Sequence, residues 1–258
     1  MVKKLKTFAI YLLIFFFIIP IKASEKKNLI AHAGGEIDSY TYTNSYEAVM
    51  KSIKNGYKYI EIDLRKTTDN IIVGIHSWAD LENILKKTIP NKQKEFFKNK
   101  ILSQNFTYKD IQELNKYLNF KIIDEFLIEE IFLNDKSLIL VTDKIQDYKK
   151  LANTFTFHDR IIIEVIGLEN YLKSFFYNFK KNYLSTDLDL IDRLFISIFR
   201  VKGIVVNKDI VKNSAKKNYL ENYINNGGDV FMYTINDHKL IREITGKTAT
   251  HLYTDKTY

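Results

Sequence analysis

The feature that most constrains the fold is a regular alternation of short apolar runs and helical patterns after residue 27. Most of the apolar runs are continuous and rich in β-branched residues, as is typical of parallel strands that are buried on both faces. Eight such runs with helices between them predict a single-domain α/β fold, the (β/α)8 TIM barrel. A ninth short strand at 251–255 is also compatible with the pattern. The eight runs are 29–32, 59–64, 71–76, 137–142, 160–166, 183–186, 203–207 and 230–235.

Two of the intervening segments carry clear helical signals. Over 44–55, apolar residues recur at i, i+3, i+4 and i+7 from Tyr46, and Gly56 then ends the helix. A second helix is predicted over 106–118, with Thr107 as its N-cap. The main structural alternative is an open doubly wound sheet, but no glycine-rich phosphate loop follows the first strand.

The segment 77–105 is rich in lysine and too long for an ordinary connection within a barrel. Two interpretations remain open at this point. The segment is either a lid over the functional site or an excursion along the solvated surface.

The N-terminus has the composition of a targeting segment. Lysines precede a continuous apolar run at 8–19, and the small pair Ala23-Ser24 follows. This order predicts a secretory signal peptide over residues 1–24, with a short uncleaved anchor as the alternative. The run is shorter than the ~20 residues that span a bilayer. We therefore expect an exported protein, periplasmic or secreted, whose folded part is 25–258.

The composition excludes several classes of site. The chain has no cysteine, which excludes disulfides, thiolate metal sites and cysteine nucleophiles. Its net charge is +8, but the lysines are scattered and form no arginine stripe or aromatic stacking platform. We therefore predict no nucleic-acid partner, and nothing in the sequence indicates a protein partner.

Polar side chains interrupt or close three of the predicted strands. His32 and His76 close two of them, and Glu61 and Asp63 lie two residues apart within a third. Side chains two apart on a strand share a face, so the two carboxylates would be buried together. Their repulsion and lost hydration require a compensating cation or proton, and Ca²⁺ and Mg²⁺ prefer such oxygen ligands. The histidines would supply acid and base at the same rim of the barrel.

Several motifs resemble those of one known family. They are LIAHAGG at 29–35, YTNSYEA at 42–48, GYKYIEIDLR at 56–65 and the Ile75-His76 pair, with weaker similarity in LVTDK at 140–144, YTIN at 233–236 and HLYTD at 251–255. In order and spacing they resemble the glycerophosphodiester phosphodiesterase family, which belongs to the phosphatidylinositol-phospholipase-C-like TIM barrels. The resemblance is specific over residues 29–78 and weaker along the rest of the chain.

The resemblance implies that His32 and His76 are the general acid–base pair. It implies a divalent cation, Ca²⁺ or Mg²⁺, held by Glu61 and Asp63 with Asp143 as a third ligand. Asp143 departs from the family pattern because it directly precedes Lys144, whereas the family separates its acid and lysine by one residue. Successive strand residues point to opposite faces, so both can serve only if the strand ends there.

The resemblance and the residues also provide candidate substrate-binding groups. Lys144 would lie near the phosphate. Arg65 either replaces the positive charge of the family's arginine, which is Ala33 in this chain, or forms a surface ion pair. Glu164 either faces the mouth of the barrel or pairs with a buried basic side chain. Trp78 either lines the pocket or packs in the core. Tyr233 stands where the family has a tryptophan.

The differences between this chain and the family's motifs bear on the substrate more than on the reaction. Ala33 replaces the arginine that follows the first histidine in the family, and Thr43 replaces a glutamate. The expected function is metal-dependent hydrolysis of glycerophosphodiesters, with a small phosphodiester or a lipid headgroup as the partner. The alternatives are phospholipase C- or D-like cleavage of a lipid headgroup, with contact to a membrane surface, and a catalytically weak exported binding protein on the same barrel.

Overall fold

The computed structural model describes residues 27–78, 80–82 and 91–257. The predicted signal peptide or anchor over 1–24 lies outside the described residues, as do positions 83–90 of the candidate lid. In the part of the chain that the structure describes, no helix is long and apolar enough to cross a membrane.

Eight parallel strands form a closed barrel, which confirms the predicted (β/α)8 fold. Around the barrel their order is β1, β2, β5, β6, β7, β8, β9 and β10, and β10 closes onto β1. The remaining two strands, β3 and β4, form a separate antiparallel ribbon. The ten strands are β1 Leu29–Ala31, β2 Tyr59–Glu61, β3 Leu64–Lys66, β4 Ile72–Gly74, β5 Ile139–Thr142, β6 Ile161–Ile166, β7 Lys181–Ser185, β8 Gly203–Asn207, β9 Asp229–Tyr233 and β10 His251–Thr254.

Helices connect successive barrel strands and cover the outside of the barrel. Ser45 caps the helix that begins at Tyr46, and Thr107 forms a capping box with Asp110 at the start of the helix that begins at Tyr108, where the sequence predicts Thr107 as the N-cap. The described α-helices are α1 Tyr46–Lys54, α2 Asn91–Ser103, α3 Tyr108–Asn115, α4 Glu125–Asn134, α5 Tyr148–Thr154, α6 Leu168–Ser174, α7 Leu190–Phe199, α8 Ser214–Asn225 and α9 His238–Ile244.

The number of barrel strands agrees with the sequence prediction, but the identity of one strand does not. The run 71–76 contributes β4, which pairs with β3 outside the barrel, and the possible ninth strand at 251–255 is instead the closing strand β10. The run 59–64 is also divided, because β2 ends at Glu61 and β3 begins at Leu64. At Gly74 a Cβ would lie 3.0 Å from the backbone oxygen of Asn44, so this position needs glycine for the ribbon to pack there.

Three apolar clusters stabilise the fold. The barrel interior holds a compact set of side chains, and a larger set fills the space between strands and helices. A third cluster lies beneath α2 and α3, where Phe97 and Ile101 of α2 pack with Phe106. The described part of the segment 77–105 is therefore anchored by its own core. The interior set is Ile30, Val141, Ile162, Tyr183, Val205, Phe231 and Tyr253.

Candidate active site

A cavity of about 190 Å³ opens at the C-terminal ends of the barrel strands. This end is where TIM barrels place their chemistry, because the loops that follow the strands converge there. The cavity contains both predicted histidines and all three predicted carboxylates. Its lining residues are His32, Tyr42, Glu61, Asp63, His76, Asp143, Lys144, Glu164, Ile166, Ser185, Tyr233 and Tyr253.

Three carboxylates from two neighbouring strands converge in this cavity. Glu61, Asp63 and Asp143 each offer an oxygen atom within 4.8 Å of the others. Burial, followed by repulsion from Asp63 and Asp143, raises the pKa of Glu61 well above its ordinary value. Burial and repulsion from Asp143 also raise the pKa of Asp63. The three acids therefore form a site whose negative charge is only partly compensated by protein groups.

The positions of the first two carboxylates are fixed by the loop that follows β1 and the loop before α1. The backbone N–H of Ala33 donates to Oε2 of Glu61 at 2.6 Å. The Asn44 side chain donates to Oδ2 of Asp63 and accepts from the Asp63 backbone N–H, both at 2.9 Å. The Asp63 backbone N–H is thus bonded to Asn44 and not to a barrel strand, at the break between β2 and β3. Ala33, although it lacks the family's arginine side chain, still contributes through its backbone.

Asp143 and Lys144 both reach the cavity. Strand β5 ends at Thr142, so the alternation of strand side chains no longer applies to the two residues that follow. Nζ of Lys144 donates to Oδ2 of Asp143 and lies 3.8 Å from Oδ1 of Asp63. Burial favours the neutral lysine, but the carboxylates of Asp143, Asp63 and Glu61 outweigh it and raise the pKa of Lys144. The lysine is therefore a fixed positive charge beside the acids.

His32 is oriented by the last barrel strand. It opens a short 3-10 helix after β1, and its Nδ1 lies 2.8 Å from Oδ1 of Asp255. Burial alone would raise the pKa of Asp255, but hydrogen bonds from His32 and Asn236 hold that pKa below its ordinary value. The side-chain hydroxyl of Thr234 lies 3.3 Å from the same Nδ1. This arrangement leaves Nε2 of His32 for proton exchange with a bound molecule.

His76 reaches the cavity by a different route from the one predicted. It follows β4 of the ribbon and does not close a barrel strand. Its Nδ1 lies 2.6 Å from Oδ2 of Asp80, whose pKa is lowered by hydrogen bonds from Ser77 and His76. His32 and His76 are therefore both members of carboxylate–imidazole pairs, with Nδ1 bound in each.

Tyr42 lies between the two imidazoles. Its ring contacts His32 edge-on at a centroid distance of 4.6 Å and His76 at 5.2 Å. Its backbone is left-handed, with φ of 57°. Burial is the main cause that raises the pKa of its hydroxyl. The ring therefore sets the space between the two candidate acid–base groups.

Glu164 and Tyr233 also line the cavity. Glu164 accepts a hydrogen bond from the hydroxyl of Tyr253, and burial, with the nearby Asp143, raises its pKa well above the ordinary value. Of the two alternatives for Glu164, the structure shows the one in which it faces the mouth of the barrel. Tyr233 is the last residue of β9 and also lines the cavity.

Arg65 and Trp78 are not among the described side chains that line the cavity, contrary to the expectation that they bind substrate. Arg65 donates from Nε to the backbone oxygen of His76 at 3.0 Å and so supports the histidine loop. Trp78 is 7% exposed and stacks on Phe106 at 4.7 Å, as part of the third apolar cluster. The physical reason is the ribbon, which directs residues 65 and 78 away from the barrel mouth.

Sequence reasoning missed the roles of Asn44, Asp80 and Asp255. A signal exists for Asp80, because it lies four residues after His76 at the start of a helical turn, a spacing that brings side chains together. Asn44 lies within the YTNSYEA motif. Asp255 contacts a residue at the other end of the chain, so no local pattern indicates its partner.

The donor set fits a hard divalent cation. All three groups are carboxylates, and Ca²⁺ and Mg²⁺ prefer oxygen ligands. The raised pKa values of Glu61 and Asp63 indicate that nearby protein groups leave part of the negative charge uncompensated. Glu61, Asp63 and Asp143 are the residues that would hold such an ion.

Comparison with known proteins identifies the family and supports the fold. The model of the "Glycerophosphoryl diester phosphodiesterase family" matches residues 33–257. A glycerophosphodiester phosphodiesterase from Thermotoga maritima has a similar structure, with a TM-score of 0.66 and 18% identity over 90% of this chain and 95% of that chain. One from Parabacteroides distasonis has a TM-score of 0.63 and 14% identity over 89% and 93% of the two chains.

A third similar structure was solved with a bound product. It is an Oleispira antarctica phosphodiesterase in complex with the product sn-glycerol-3-phosphate, with a TM-score of 0.60 and 14% identity over 88% of this chain and 92% of that chain. No curated protein sequence matches the chain.

Proposed function

The chain belongs to the glycerophosphoryl diester phosphodiesterase family, a family of phosphoric diester hydrolases, and we propose that it hydrolyses glycerophosphodiesters with the aid of a divalent cation, Ca²⁺ or Mg²⁺. The observation that carries the proposal is the convergence of His32 and His76 on a cavity that also holds three carboxylates. Each imidazole has its Nδ1 bound by a carboxylate, so each presents Nε2 for proton transfer.

In the proposed reaction, one of His32 and His76 accepts the proton of the attacking hydroxyl while a new P–O bond forms. The other donates a proton to the departing alkoxide oxygen as its P–O bond breaks. The attacking hydroxyl belongs either to water or to the substrate itself, and the second case yields a cyclic phosphate first. Lys144 places a positive charge near the phosphoryl oxygens. A bound cation would stabilise negative charge on those oxygens.

The carboxylates keep the histidines in position for these transfers. Asp255 and Asp80 bind the Nδ1 atoms, which fixes the ring orientation and stabilises each imidazolium as it forms. Tyr42 keeps the two rings apart, so one can act as base while the other acts as acid. The similar structure that contains sn-glycerol-3-phosphate supports a glycerophosphodiester as the substrate class.

The test is the hydrolysis of glycerophosphocholine, measured as the release of glycerol phosphate. We expect turnover that EDTA abolishes and added Ca²⁺ or Mg²⁺ restores. His32→Ala and His76→Ala should each lower kcat by at least about 100-fold. His158→Ala, in the short helix before β6, is the matched control and should retain activity. If the wild type turns over no diester faster than His32→Ala does, the proposed hydrolase activity is refuted. That result would favour the alternative of a catalytically weak binding protein.

A second candidate, cleavage of an intact lipid headgroup, is favoured by one observation. Ile166 lines the cavity and is 57% exposed, and Leu172, Phe175 and Phe176 are exposed on or just after the helix α6 that follows it. Lysophosphatidylcholine supplied beside glycerophosphocholine separates the two candidates. A lipid phosphodiesterase should cleave the lipid faster, whereas a glycerophosphodiesterase should cleave the deacylated compound faster.

We also propose that the protein is exported, on the basis of the sequence of residues 1–24. N-terminal sequencing of the protein from the extracytoplasmic fraction tests this. A mature start near residue 24 or 25 is expected for a cleaved signal peptide. An intact N-terminus on membrane-bound protein would indicate the uncleaved anchor, and recovery from the cytoplasm alone would contradict export.

A further inference from the structure

Helix α7 is apolar on both of its faces. Only Asp192, Arg193 and Ser197 are polar among its residues. Phe195 and Ile196 are buried toward the barrel. A helix that is apolar all round is normally covered on both sides, so the outer face of α7 needs a partner.

That outer face carries a row of exposed aliphatic side chains, which we call the α7 surface. It consists of Leu190, Ile191, Leu194 and Ile198, which are 83%, 66%, 60% and 63% exposed. Contiguous exposed apolar surface of this kind marks a site of contact with a protein or a membrane.

The charged side chains of α7 do not interrupt this surface, because they are engaged with the chain itself. Oδ2 of Asp192 accepts a hydrogen bond from the hydroxyl of Thr186 at 2.6 Å. Nε of Arg193 donates to the backbone oxygen of Leu188 at 3.0 Å. Both contacts tie α7 to the loop that connects it to β7.

The α7 surface begins at the mouth of the cavity. Strand β7 ends at Ser185, which lines the cavity, and a short loop then leads to Leu190 at the start of α7. On the neighbouring strand, Ile166 pairs in register with Ser185, lines the cavity and is itself exposed. Exposed apolar side chains therefore lie both at the cavity wall, in Ile166, and at the start of α7, in Leu190.

Lysines flank the same mouth. Residues 208–217, which follow β8, contain four lysines and one acidic residue. Nζ of Lys208 donates to the backbone oxygen of Thr234 at 3.0 Å, after the end of β9. Nζ of Lys216 donates to the backbone oxygen of Asp187, in the loop before α7. The second contact places Lys216 beside the start of the α7 surface, and the first places Lys208 at the same rim of the barrel.

We propose that the α7 surface and the lysines of 208–217 dock the barrel onto a lipid surface that carries anionic headgroups. The aliphatic side chains would enter the boundary between headgroups and acyl chains, and the lysines would lie among the anionic headgroups. A two-fold dimer through the same surface would bring two lysine-rich segments to one interface, which like-charge repulsion disfavours. The cavity mouth would then lie at the lipid surface, where phosphodiester headgroups are present.

Co-sedimentation with vesicles tests this docking without any turnover. The full chain is mixed with vesicles of phosphatidylcholine alone, or of phosphatidylcholine and phosphatidylglycerol in equal amounts. We expect binding to the mixed vesicles that weakens in about 0.5 M salt, where surface charges are screened. Leu190→Ser/Leu194→Ser should lower the partition coefficient by about tenfold, because two inserted side chains are lost.

A matched control carries the same substitutions elsewhere. Leu102→Ser/Leu133→Ser changes two exposed leucines on α2 and α4, which are 70% and 48% exposed, and should bind vesicles as the wild type does. Lys212→Glu/Lys217→Glu changes two exposed lysines and should weaken binding to the mixed vesicles only. Every variant keeps residues 1–24, so differences between variants report on the barrel.

Three results would overturn the proposal. Vesicle binding by Leu190→Ser/Leu194→Ser as tight as that of the wild type would assign binding to another segment. Equal binding to both vesicle types would remove the role of the lysines. A wild-type dimer that this variant converts to a monomer, without vesicle binding by either, would make a second copy the partner. Hydrolysis of soluble glycerophosphocholine by the same variant should be unchanged, which separates loss of docking from failure of the proposed reaction.

Discussion

Nδ1 of His32 and Oδ1 of Asp255 lie 2.8 Å apart, although 223 positions separate the two residues along the chain. The contact exists because β1 and β10 are neighbours where the barrel closes. Asn236 holds the carboxylate from its other side, with Nδ2 2.7 Å from Oδ2 of Asp255. Closure of the barrel therefore orients one of the two candidate catalytic imidazoles.

Asp255→Asn should lower kcat by about 10- to 100-fold with little change in KM, because the His32 ring loses its charged partner but stays in the cavity. Glycerophosphocholine hydrolysis across a pH series measures this effect. The expected pH profile also shifts, because a neutral amide stabilises an imidazolium less than a carboxylate does. Asp209→Asn, at an exposed ion pair with Lys212, is the matched control. A purely structural role would leave the pH profile of Asp255→Asn unchanged.

Asn44 allows a second prediction, because its amide makes two hydrogen bonds with Asp63. Its backbone is left-handed, with φ of 46°. Asn44→Gly keeps this conformation accessible and removes the amide, whereas Asn44→Ala adds backbone strain as well. We expect both variants to bind Ca²⁺ about 10- to 100-fold more weakly, as for the loss of other groups that orient metal ligands.

The two Asn44 variants should differ in stability. Urea unfolding should show Asn44→Ala to be less stable than Asn44→Gly by about 1 kcal/mol, the cost of a non-glycine residue in the left-handed region. Calcium titration by calorimetry gives the affinities. Unchanged Ca²⁺ affinity in Asn44→Gly would contradict a role for the amide in positioning Asp63.

The carboxylate cluster predicts a cation-dependent gain in stability. Glu61, Asp63 and Asp143 repel one another in a buried site, and a bound cation would relieve that repulsion. We expect millimolar Ca²⁺ or Mg²⁺ to raise Tm by several degrees. Glu61→Gln removes one negative charge but keeps an oxygen that can accept the hydrogen bond from the Ala33 N–H. The variant should therefore have a higher Tm than the wild type without the cation, and should lose most of the rise in Tm that the cation causes.

Differential scanning calorimetry with and without the cation measures these shifts. Glu113→Gln, an exposed acid paired with Lys116, serves as the control and should keep the full shift. An equal shift in Glu61→Gln and the wild type would place the cation elsewhere.

His251 predicts a pH dependence of stability at the opposite end of the barrel. Burial lowers its pKa to about 4, and the charge of Asp229 opposes this only in part. The unfolded chain binds this proton near pH 6.5 and the folded chain only near pH 4. The contribution of the neutral His251 ring to the free energy of unfolding is therefore complete above about pH 6.5. It is lost as the pH falls toward 4, and the total loss is about 3 kcal/mol.

His251→Gln should remove this part of the pH dependence. The measurement is the free energy of unfolding in urea at pH 7.5 and pH 4.5, compared between the variant and the wild type. His238→Gln, on the exposed start of α9, is the control. Equal losses of stability in His251→Gln and the wild type between the two pH values would contradict the prediction.

Local sequence determined much of this protein. Continuous β-branched runs that alternate with helical patterns favour parallel strands covered on both faces, so the α/β barrel could be predicted from the pattern. The two-residue spacing of Glu61 and Asp63 predicted both carboxylates at one mouth, and both line the cavity although β2 ends at Glu61. The end of β5 at Thr142 then lets Asp143 and Lys144 both face the cavity.

Tertiary pairing decided what local pattern could not. The runs that contain β4 and β10 are both apolar and short, and only pairing with β1 selects β10 as the closing strand. That choice places Asp255 beside His32, and the ribbon brings His76 to the cavity and directs Trp78 into the core. Contacts between residues distant in the chain depend on which strands become neighbours. The free energy of those pairings is a property of the closed barrel and is not encoded in any single segment.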